Sequence, residues 1–376
     1  MEILKASESD SQRLKAFFER MVLPGAIDFS LQRSGSFFDQ YRLFSDDFET
    51  LIMVDDDFEI AGMASVLFRE GIVRGEKQTW GYATDLRIAP TRKAISQWAQ
   101  KFLPELESAC ESRRCKYVFS AVQTSDNQAY NALIRPASHT RRRLPRYHLV
   151  NRFRIVGLHG RVPFGEKPLP SIRLSEMKHA DLEPLCAYLQ EQAMHRTLAH
   201  VHTPQNFLEE LSRWPGLRIS DFRIARDSKG KILGCAALWD GRPVQTYVPQ
   251  NYNGFAQTLQ QTLWLASLTR IVRPMADPLE PMQMQYLTHL CCDSPEVFHR
   301  LADDAFERVR RPDFLAYMHF RGNWRTLPPT SFISTSLPYG FYMVLPPNLE
   351  APDLRAKSRP GSPMDYLPPE FELAWI

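Results

Sequence analysis

The sequence predicts a mixed α/β fold built from two similar units in tandem. Three observations carry this prediction: strand patterns alternate with helical ones, hairpin signals interrupt them, and the same order of elements occurs twice in the 376 residues. The length also favours two domains over one. We expect each unit to be a mixed, mostly antiparallel sheet flanked by helices.

Both units open with a strand, a polar turn and an amphipathic helix. The first copy is "ILKASESDSQRLKAFFER" and the second is "IRLSEMKHADLEPLCAYL". Asp10 and Asp181 stand where each helix is predicted to start. An aspartate at that position caps a helix by accepting hydrogen bonds from its free backbone N–H groups.

A hairpin follows in each unit, as "TLIMVDDDFEIAGMASVLF" and "DFRIARDSKGKILGCAALW". Acidic turns between alternating apolar runs indicate β-hairpins. The small residues in the second strand of each hairpin predict a close approach of another backbone.

Strands and helices alternate after the hairpins. The predicted strands lie near 77–88, 116–122, 145–157, 283–292, 314–320 and 338–346. The predicted helices lie near 93–112, 126–135 and 294–310, with an additional helix of the second unit within 252–272.

These patterns divide the chain into four parts: a first domain over 1–158, a linker over 159–170, a second domain over 171–346 and a tail over 347–376. Ten of the 28 prolines lie beyond residue 326. The tail is therefore expected to be extended or irregular and to wrap the surface.

The composition predicts a cytoplasmic protein without a membrane span. No window reaches the roughly 18 apolar residues of a spanning helix, and the N-terminus lacks the pattern of a secretory signal. The six cysteines lack the spacing of disulfides or of metal ligands, so we expect reduced thiols and no bound metal. A net charge of +3 does not by itself indicate nucleic acid.

One segment has charge of a single sign. Between Asp126 and Glu166 there is no acidic residue. The arginines of this basic strip are Arg135, Arg141, Arg142, Arg143, Arg146, Arg152, Arg154 and Arg161. Such a strip favours an anionic neighbour, whether a phosphate-bearing cofactor, an acidic substrate or RNA, although arginines paired with acids elsewhere in the fold are an open alternative.

The junction "ATDLRIAPTRKAISQWAQKFLPEL" passes from a strand through a basic loop with small residues into a helix. Together with the preceding hairpin and the later "SDNQAY", it resembles the GNAT superfamily of acyl-CoA-dependent N-acyltransferases. The resemblance implies that backbone N–H groups of the loop, at a helix N-terminus, bind the pyrophosphate of coenzyme A. The loop residues so implied are Arg92, Lys93, Ala94, Ile95 and Ser96.

The loop departs from the family pattern because Ala94 and Ser96 stand in place of glycines. A loop that no longer binds coenzyme A is therefore an open alternative. The resemblance also implies that Leu86, Arg87 and Ile88 bind the pantetheine arm and the thioester carbonyl, and that Asn127 belongs to the cofactor site.

The chemistry of acyl transfer suggests further residues of the first unit. Asp85 is the candidate general base. The resemblance implies a tyrosine as the acid for the departing thiolate, and Tyr130 is the candidate for it, displaced from the family's position. An ion pair to Arg87 and an aromatic anchor are the structural alternatives for these two residues. Arg141, Arg143 and Tyr147 are the candidate contacts to the acceptor, which would be acidic if the arginines face it.

The resemblance thus implies an N-acyltransferase that moves an acyl group from acetyl-CoA or another acyl-CoA to a small-molecule or peptide amine. The second unit has acids and no glycine at the matching junction, "THLCCDSPEVFHRLADD", so we expect it to have lost cofactor binding. Two alternatives stay open: an aminoacyl-tRNA-dependent transferase, in which the basic strip binds tRNA, and a GNAT-like binding protein without catalysis.

Overall fold

The computed structural model describes residues 1–135, 144–347, 349–352, 354 and 367–376. The strands are β1 (Glu2–Lys5), β2 (Ile27–Arg33), β3 (Asp47–Val54), β4 (Ile60–Val73), β5 (Glu76–Ile88), β6 (Tyr117–Gln123), β7 (Arg146–Arg161), β8 (Arg173–Glu176), β9 (Leu198–Ala199), β10 (Phe222–Arg226), β11 (Ile232–Trp239), β12 (Gln245–Tyr252), β13 (Met284–Cys292), β14 (Phe314–Phe320) and β15 (Phe332–Leu345). The helices are α1 (Ser11–Glu19), α2 (Asp39–Arg42), α3 (Arg92–Ser112), α4 (Asn127–Ala129), α5 (Leu182–Ala193), α6 (Pro204–Ser212), α7 (Phe255–Ser267) and α8 (Pro295–Arg308).

Both units contribute to one large sheet, with the strand order β1-β3-β4-β5-β6-β15-β7-β14-β13-β11-β10-β8. The short strand β9 pairs with β4, while β2 and β12 form a separate two-stranded sheet. Two pairs of adjacent strands in the large sheet are parallel, namely β5 with β6 and β13 with β14. The other pairs in that strand order are antiparallel. The predicted mixed α/β fold is confirmed.

The two units exchange their last strands. β15 of the second unit lies between β6 and β7 of the first, and β7 in turn pairs with β14. The exchange provides hydrogen-bond partners for strand edges that would otherwise be open. Because β7 runs to Arg161, the boundary predicted at 158 falls inside a strand, and the two units share a sheet.

The sheet separates two layers of apolar packing. On one face Ile52, Trp80 and Phe119 pack in the largest core cluster, which also includes α1 residues. On the other face α3 packs through Ala94 and Phe102, and α8 forms a further cluster with the second unit's strands. We call these the α1 face and the α3 face.

The turns before α1 and α5 show the internal repeat, but the predicted capping differs in detail. Asp10 accepts a hydrogen bond from the backbone N–H of Ser7 at 2.9 Å, and Asp181 accepts one from that of Lys178 at 2.8 Å. Each aspartate therefore closes the turn before its helix, rather than capping the helix with its side chain.

The expectation of a surface tail is wrong for the last ten residues. Phe371 and Trp375 are buried among aromatic rings of the α1 face, and Trp375 meets Phe44 at 5.0 Å between ring centroids. The segment 367–376 is irregular, as the prolines predict, yet its aromatic side chains place it inside the protein.

None of the helices in the described ranges has the length and hydropathy required to cross a membrane.

Candidate functional site

The candidate site is a cleft where two parallel strands separate. β5 and β6 pair only over Trp80–Tyr82 and Tyr117–Phe119, and then diverge. A bulge accompanies the separation, because the step from Thr84 to Arg87 on β5 lies opposite the shorter step from Met63 to Ser65 on β4. A bulge bends its strand, and the diverging strands enclose a cavity of about 180 Å³.

The cleft is lined by both apolar and polar side chains. Beneath α3 it is lined by Trp98, Phe102, Leu103 and Leu106, which recur at helical spacing on one face of the helix. The polar lining residues are Ser65, Tyr82, Thr84, Asp85, Arg87, Ser120, Gln123, Asp126, Tyr147, Tyr247 and Tyr339. Tyr247 comes from the second unit, so both units build the site.

Asp85 lies in the bulge with a φ of 54°, in the left-handed region that non-glycine residues rarely adopt. Its carboxylate is buried and accepts hydrogen bonds from Arg33 at 2.5 Å and from the Tyr41 hydroxyl at 2.8 Å. Burial favours the neutral acid, but the charges of Arg33 and Arg87 and the Tyr41 hydrogen bond hold the pKa of Asp85 below its usual value. In this arrangement the carboxylate is a poor proton acceptor.

Asp126 is a second carboxyl in the cleft, with a different environment. Its Oδ1 accepts hydrogen bonds from the backbone N–H groups of Gln128 and Ala129, both at 2.9 Å, and so caps α4. Burial raises the pKa of Asp126 above its usual value, although these hydrogen bonds and Arg87 act in the opposite direction. Sequence reasoning missed this residue, although the "SDNQAY" motif contains it.

The predicted phosphate loop forms the start of α3. Thr91 caps the helix by accepting a hydrogen bond from the N–H of Ala94 at 3.3 Å, and the side chain of Ala94 is buried between α3 and the sheet. Arg92, Ile95 and Ser96 are exposed. Lys93 is also exposed and pairs with Asp56 at 2.8 Å. The first turn of a helix leaves N–H groups without intrahelical partners, so backbone donors are exposed beside two cations.

The three strand residues predicted to bind the pantetheine arm differ in position. Leu86 and Arg87 line the cleft, whereas Ile88 pairs with Gly62 and does not line it. Arg87 lies 3.9 Å from Asp85, and its Nη1 donates to the carbonyl of Leu86 at 3.2 Å. The structural alternative for Asp85, a pairing with Arg87, is thus present in addition to the closer pairing with Arg33.

The two predicted residues on α4 and the turn after it do not line the cleft. Asn127 is exposed, and the ring of Tyr130 lies under the guanidinium of Arg135, 5.2 Å from centroid to Cζ. Ala129 and Leu133, one helical turn apart, line the cleft instead. The helical period therefore directs Tyr130 to another side.

Of the predicted acceptor contacts, Arg141 and Arg143 lie outside the described residues, and Tyr147 lines the cleft. Elsewhere in the basic strip, Arg152 and Arg154 flank Phe153, which is buried in the core of the α1 face. Alternation along a strand puts these two arginines on the α3 face.

A similar cleft exists in the second unit. β13 and β14 pair over Met284–Tyr286 and Phe314–Ala316 and then diverge, and β13 has a bulge in which His289 has a φ of 51°. The chain itself enters this cleft: Glu372 accepts hydrogen bonds from the His289 N–H at 2.9 Å and from the Thr288 hydroxyl at 2.7 Å. Burial raises the pKa of Glu372 to about 8.

Within the described ranges, no group of three or more histidine, cysteine, aspartate or glutamate side chains is placed to hold a metal ion. The polar residues that sequence reasoning missed, Gln123, Asp126, Tyr247 and Tyr339, converge only through the tertiary fold. Their local patterns carry no signal, except for the capping position of Asp126.

The fold is similar to that of known N-acyltransferases. One similar structure is N-myristoyltransferase from Saccharomyces cerevisiae with bound myristoyl-CoA. The match covers 92% of this chain and 78% of the N-myristoyltransferase chain, with a TM-score of 0.51 and 11% sequence identity. The GCN5-related glucosamine N-acetyltransferase region of a fungal β-N-acetylglucosaminidase matches 91% of this chain with a TM-score of 0.55 and 12% identity, and the match covers 38% of that longer chain. No family model and no curated protein matches the sequence. The resemblance to the GNAT superfamily is thereby confirmed for the fold.

Proposed function

We propose that the protein is a GNAT-type N-acyltransferase that transfers an acyl group from acetyl-CoA or another acyl-CoA to a primary amine. One observation carries the proposal: β5 and β6 diverge around a cavity that is lined by α3 and by buried polar groups, and the N-terminus of α3 is exposed. A thioester placed between the strands would lie beside backbone donors of the diverging strands and beside the polar side chains of the cleft. The unpaired cysteines fit the predicted cytoplasmic location.

The reaction requires few groups from the protein. The neutral amine nitrogen attacks the thioester carbonyl carbon, the carbon–sulfur bond breaks, and the thiolate leaves with the proton that the nitrogen has lost. Positioning and backbone donors to the carbonyl oxygen supply much of the catalysis in such a site. A carboxyl group can take the proton of the incoming ammonium directly or through water.

We assign that proton transfer to Asp126 and a positioning role to Asp85, the base predicted from the sequence. The pKa of Asp126 is raised, which brings it closer to the pH at which a base works well. Asp85 is held ionised by Arg33 and fixes the bulge between the two diverging strands. Tyr82 and Tyr339 are buried with raised pKa values, so they remain protonated donors in the cleft.

Coenzyme A would place its pyrophosphate at the first turn of α3, near Arg92 and Lys93. Trp98 lines the cleft six residues later, which is about 9 Å along the helix axis. The pantetheine arm could therefore follow α3 from the loop into the cleft. In the second unit, Glu372 occupies the backbone donor of the matching bulge, which supports the proposal that only the first unit binds the cofactor.

Calorimetric titration with acetyl-CoA and with coenzyme A tests this proposal. We expect micromolar binding to the unaltered chain and a loss of roughly ten-fold or more in Arg92→Glu, because the change reverses a charge beside the phosphates. Arg173→Glu is the matched control, since Arg173 is exposed on β8 at the far edge of the sheet.

Equal loss in both variants would point to net charge rather than a site at the loop. No binding at millimolar ligand would overturn the proposal and leave the two alternatives from the sequence, a tRNA-dependent transferase and a binding protein without catalysis.

A further inference from the structure

A second cavity, of about 470 Å³, lies on the α1 face where the two units meet. Its walls are formed largely by β2, β12, α7 and the strands from β13 to β15, with Phe29, Leu259, Met282, Met284 and Phe314 among the apolar side chains that line it. Among the described residues, no lysine, arginine, histidine, aspartate or glutamate lines this cavity. We call it the apolar cavity.

The apolar cavity adjoins the cleft. Tyr247 and Tyr339 line both spaces, so the two spaces meet at these side chains. The Tyr339 hydroxyl donates to Gln123 Oε1 at 3.4 Å, and the Tyr247 hydroxyl donates to the main-chain oxygen of Ile376 at 2.6 Å. A ligand in the apolar cavity would therefore have one end beside the polar groups of the cleft.

The chemistry of the wall selects the class of ligand. A charged group of either sign inside this cavity would lose its hydration without gaining a counter-charge, which is strongly unfavourable, so the body of the ligand must be apolar and its polar end must lie at the two tyrosines. Methionine side chains adapt to varied apolar shapes, and the volume lies in the range that small organic ligands occupy in proteins. Arg152 and Arg154, which could have favoured an acidic acceptor, lie on the opposite face of the sheet.

We propose that the acceptor is a primary amine with an apolar alkyl or aryl body, which sits in the apolar cavity with its nitrogen towards Tyr247 and Tyr339. This inference rests on the proposed function and names the substrate class of the same site. It differs from the acidic acceptor that the basic strip suggested, whose predicted contacts Arg141 and Arg143 lie outside the described residues. Helix α7, which supplies Ala256 and Leu259 to the wall, belongs to the additional segment of the second unit, so the acceptor pocket depends on that segment.

The test compares two leucine truncations on α7. Leu259 is half-buried in the cavity wall, whereas Leu265 is 63% exposed and does not line it. Octylamine and phenethylamine serve as probes, with glucosamine and glutamate as polar and acidic competitors. Binding is measured by calorimetry without coenzyme A, and acylation with acetyl-CoA is measured by mass spectrometry of the product.

We expect octylamine to bind and to be acylated in preference to glucosamine and glutamate. Leu259→Ala should weaken binding and kcat/KM for octylamine by roughly ten-fold or more, since lost contacts in an apolar pocket are worth at least that much. Leu265→Ala should leave both within about two-fold, as is usual for surface substitutions.

The outcomes separate this inference from the proposed function. Acylation of glutamate or glucosamine in preference to octylamine, or equal effects of the two truncations, would overturn the inference and leave the acyltransferase proposal standing. Leu259-dependent binding of octylamine without any coenzyme A binding or turnover would overturn the acyltransferase proposal and support the apolar cavity as a site for amines.

Discussion

Replacement of Arg33 by leucine should destabilise the fold strongly. The Arg33 side chain is buried, and it donates to Asp85, to Gln245 Oε1 at 3.1 Å and to the carbonyl of Phe37 at 3.1 Å. Breaking a buried ion pair by removing one partner costs about 3–5 kcal/mol, because the remaining charge stays buried. Since Gln245 belongs to β12, the change also weakens the contact between the two units.

The destabilisation should depend on pH. In the unaltered protein the pKa of Asp85 is lowered, so its ionised form stabilises the fold above the unfolded pKa of about 3.9. That contribution is lost as the pH falls through the lower folded value. Without Arg33, only Arg87 and the Tyr41 hydrogen bond oppose the effect of burial, so the ionised carboxylate is less stable in the variant at neutral pH, and protonation at acid pH relieves part of this cost.

Urea unfolding at pH 7 and pH 4.5, followed by tryptophan fluorescence, measures both effects. Arg42→Leu is the control: Arg42 is 37% exposed and pairs with Asp39 at 2.7 Å, so its loss should cost about 0–1 kcal/mol. A loss below about 1 kcal/mol for Arg33→Leu, or a loss that is the same at both pH values, would refute this reasoning.

Three further predictions concern the site and the C-terminal segment. Asp126→Asn should lower kcat by roughly 10²–10⁴-fold with little change in stability, because asparagine caps a helix as well as aspartate; unchanged turnover in a steady-state assay would argue against Asp126 as the base. The raised pKa of Glu372 means that between about pH 4.3 and pH 8 the folded protein keeps a proton which the unfolded chain has released, so the unaltered protein loses stability as the pH rises through this range. Glu372→Gln should remove that loss. Urea unfolding at pH 5 and pH 8 measures it, and the same change in stability in the variant and the unaltered protein would contradict the prediction. Trp375→Ala should cost about 3–5 kcal/mol through loss of buried aromatic contacts, whereas a change in urea midpoint no larger than that of Trp324→Ala, at a 43% exposed tryptophan, would count against it.

Local patterns predicted most of the elements. The helix predicted over 93–112 is α3, Arg92–Ser112, and the helix predicted over 294–310 is α8, Pro295–Arg308. Apolar periodicity and capping residues determine such elements over a few turns of chain, so they can be found without knowledge of the rest of the fold. The hairpins and the repeat of the two units were predictable for the same reason.

Much of the candidate site was not predictable in this way. Asp85 and Arg87 were identified from a motif, but the partner that decides the protonation of Asp85 is Arg33, 52 residues earlier. Tyr247 and Tyr339 reach the cleft from the second unit. Their sequence neighbourhoods show ordinary strands, because a contact between distant segments leaves no periodic signal in either one.

The sequence by itself thus determined the fold class, the order of elements and the junction at the start of α3, since each depends on short-range preferences of the backbone. Only the tertiary structure decided that β15 lies between β6 and β7, that the segment 367–376 is buried, and that a cavity lined by uncharged side chains of the described residues adjoins the cleft. Alternation along a strand shows which side chains are buried together, but it does not show which strand becomes the neighbour. That choice depends on the hydrogen bonds and apolar surface that all strands satisfy at once when the sheet forms.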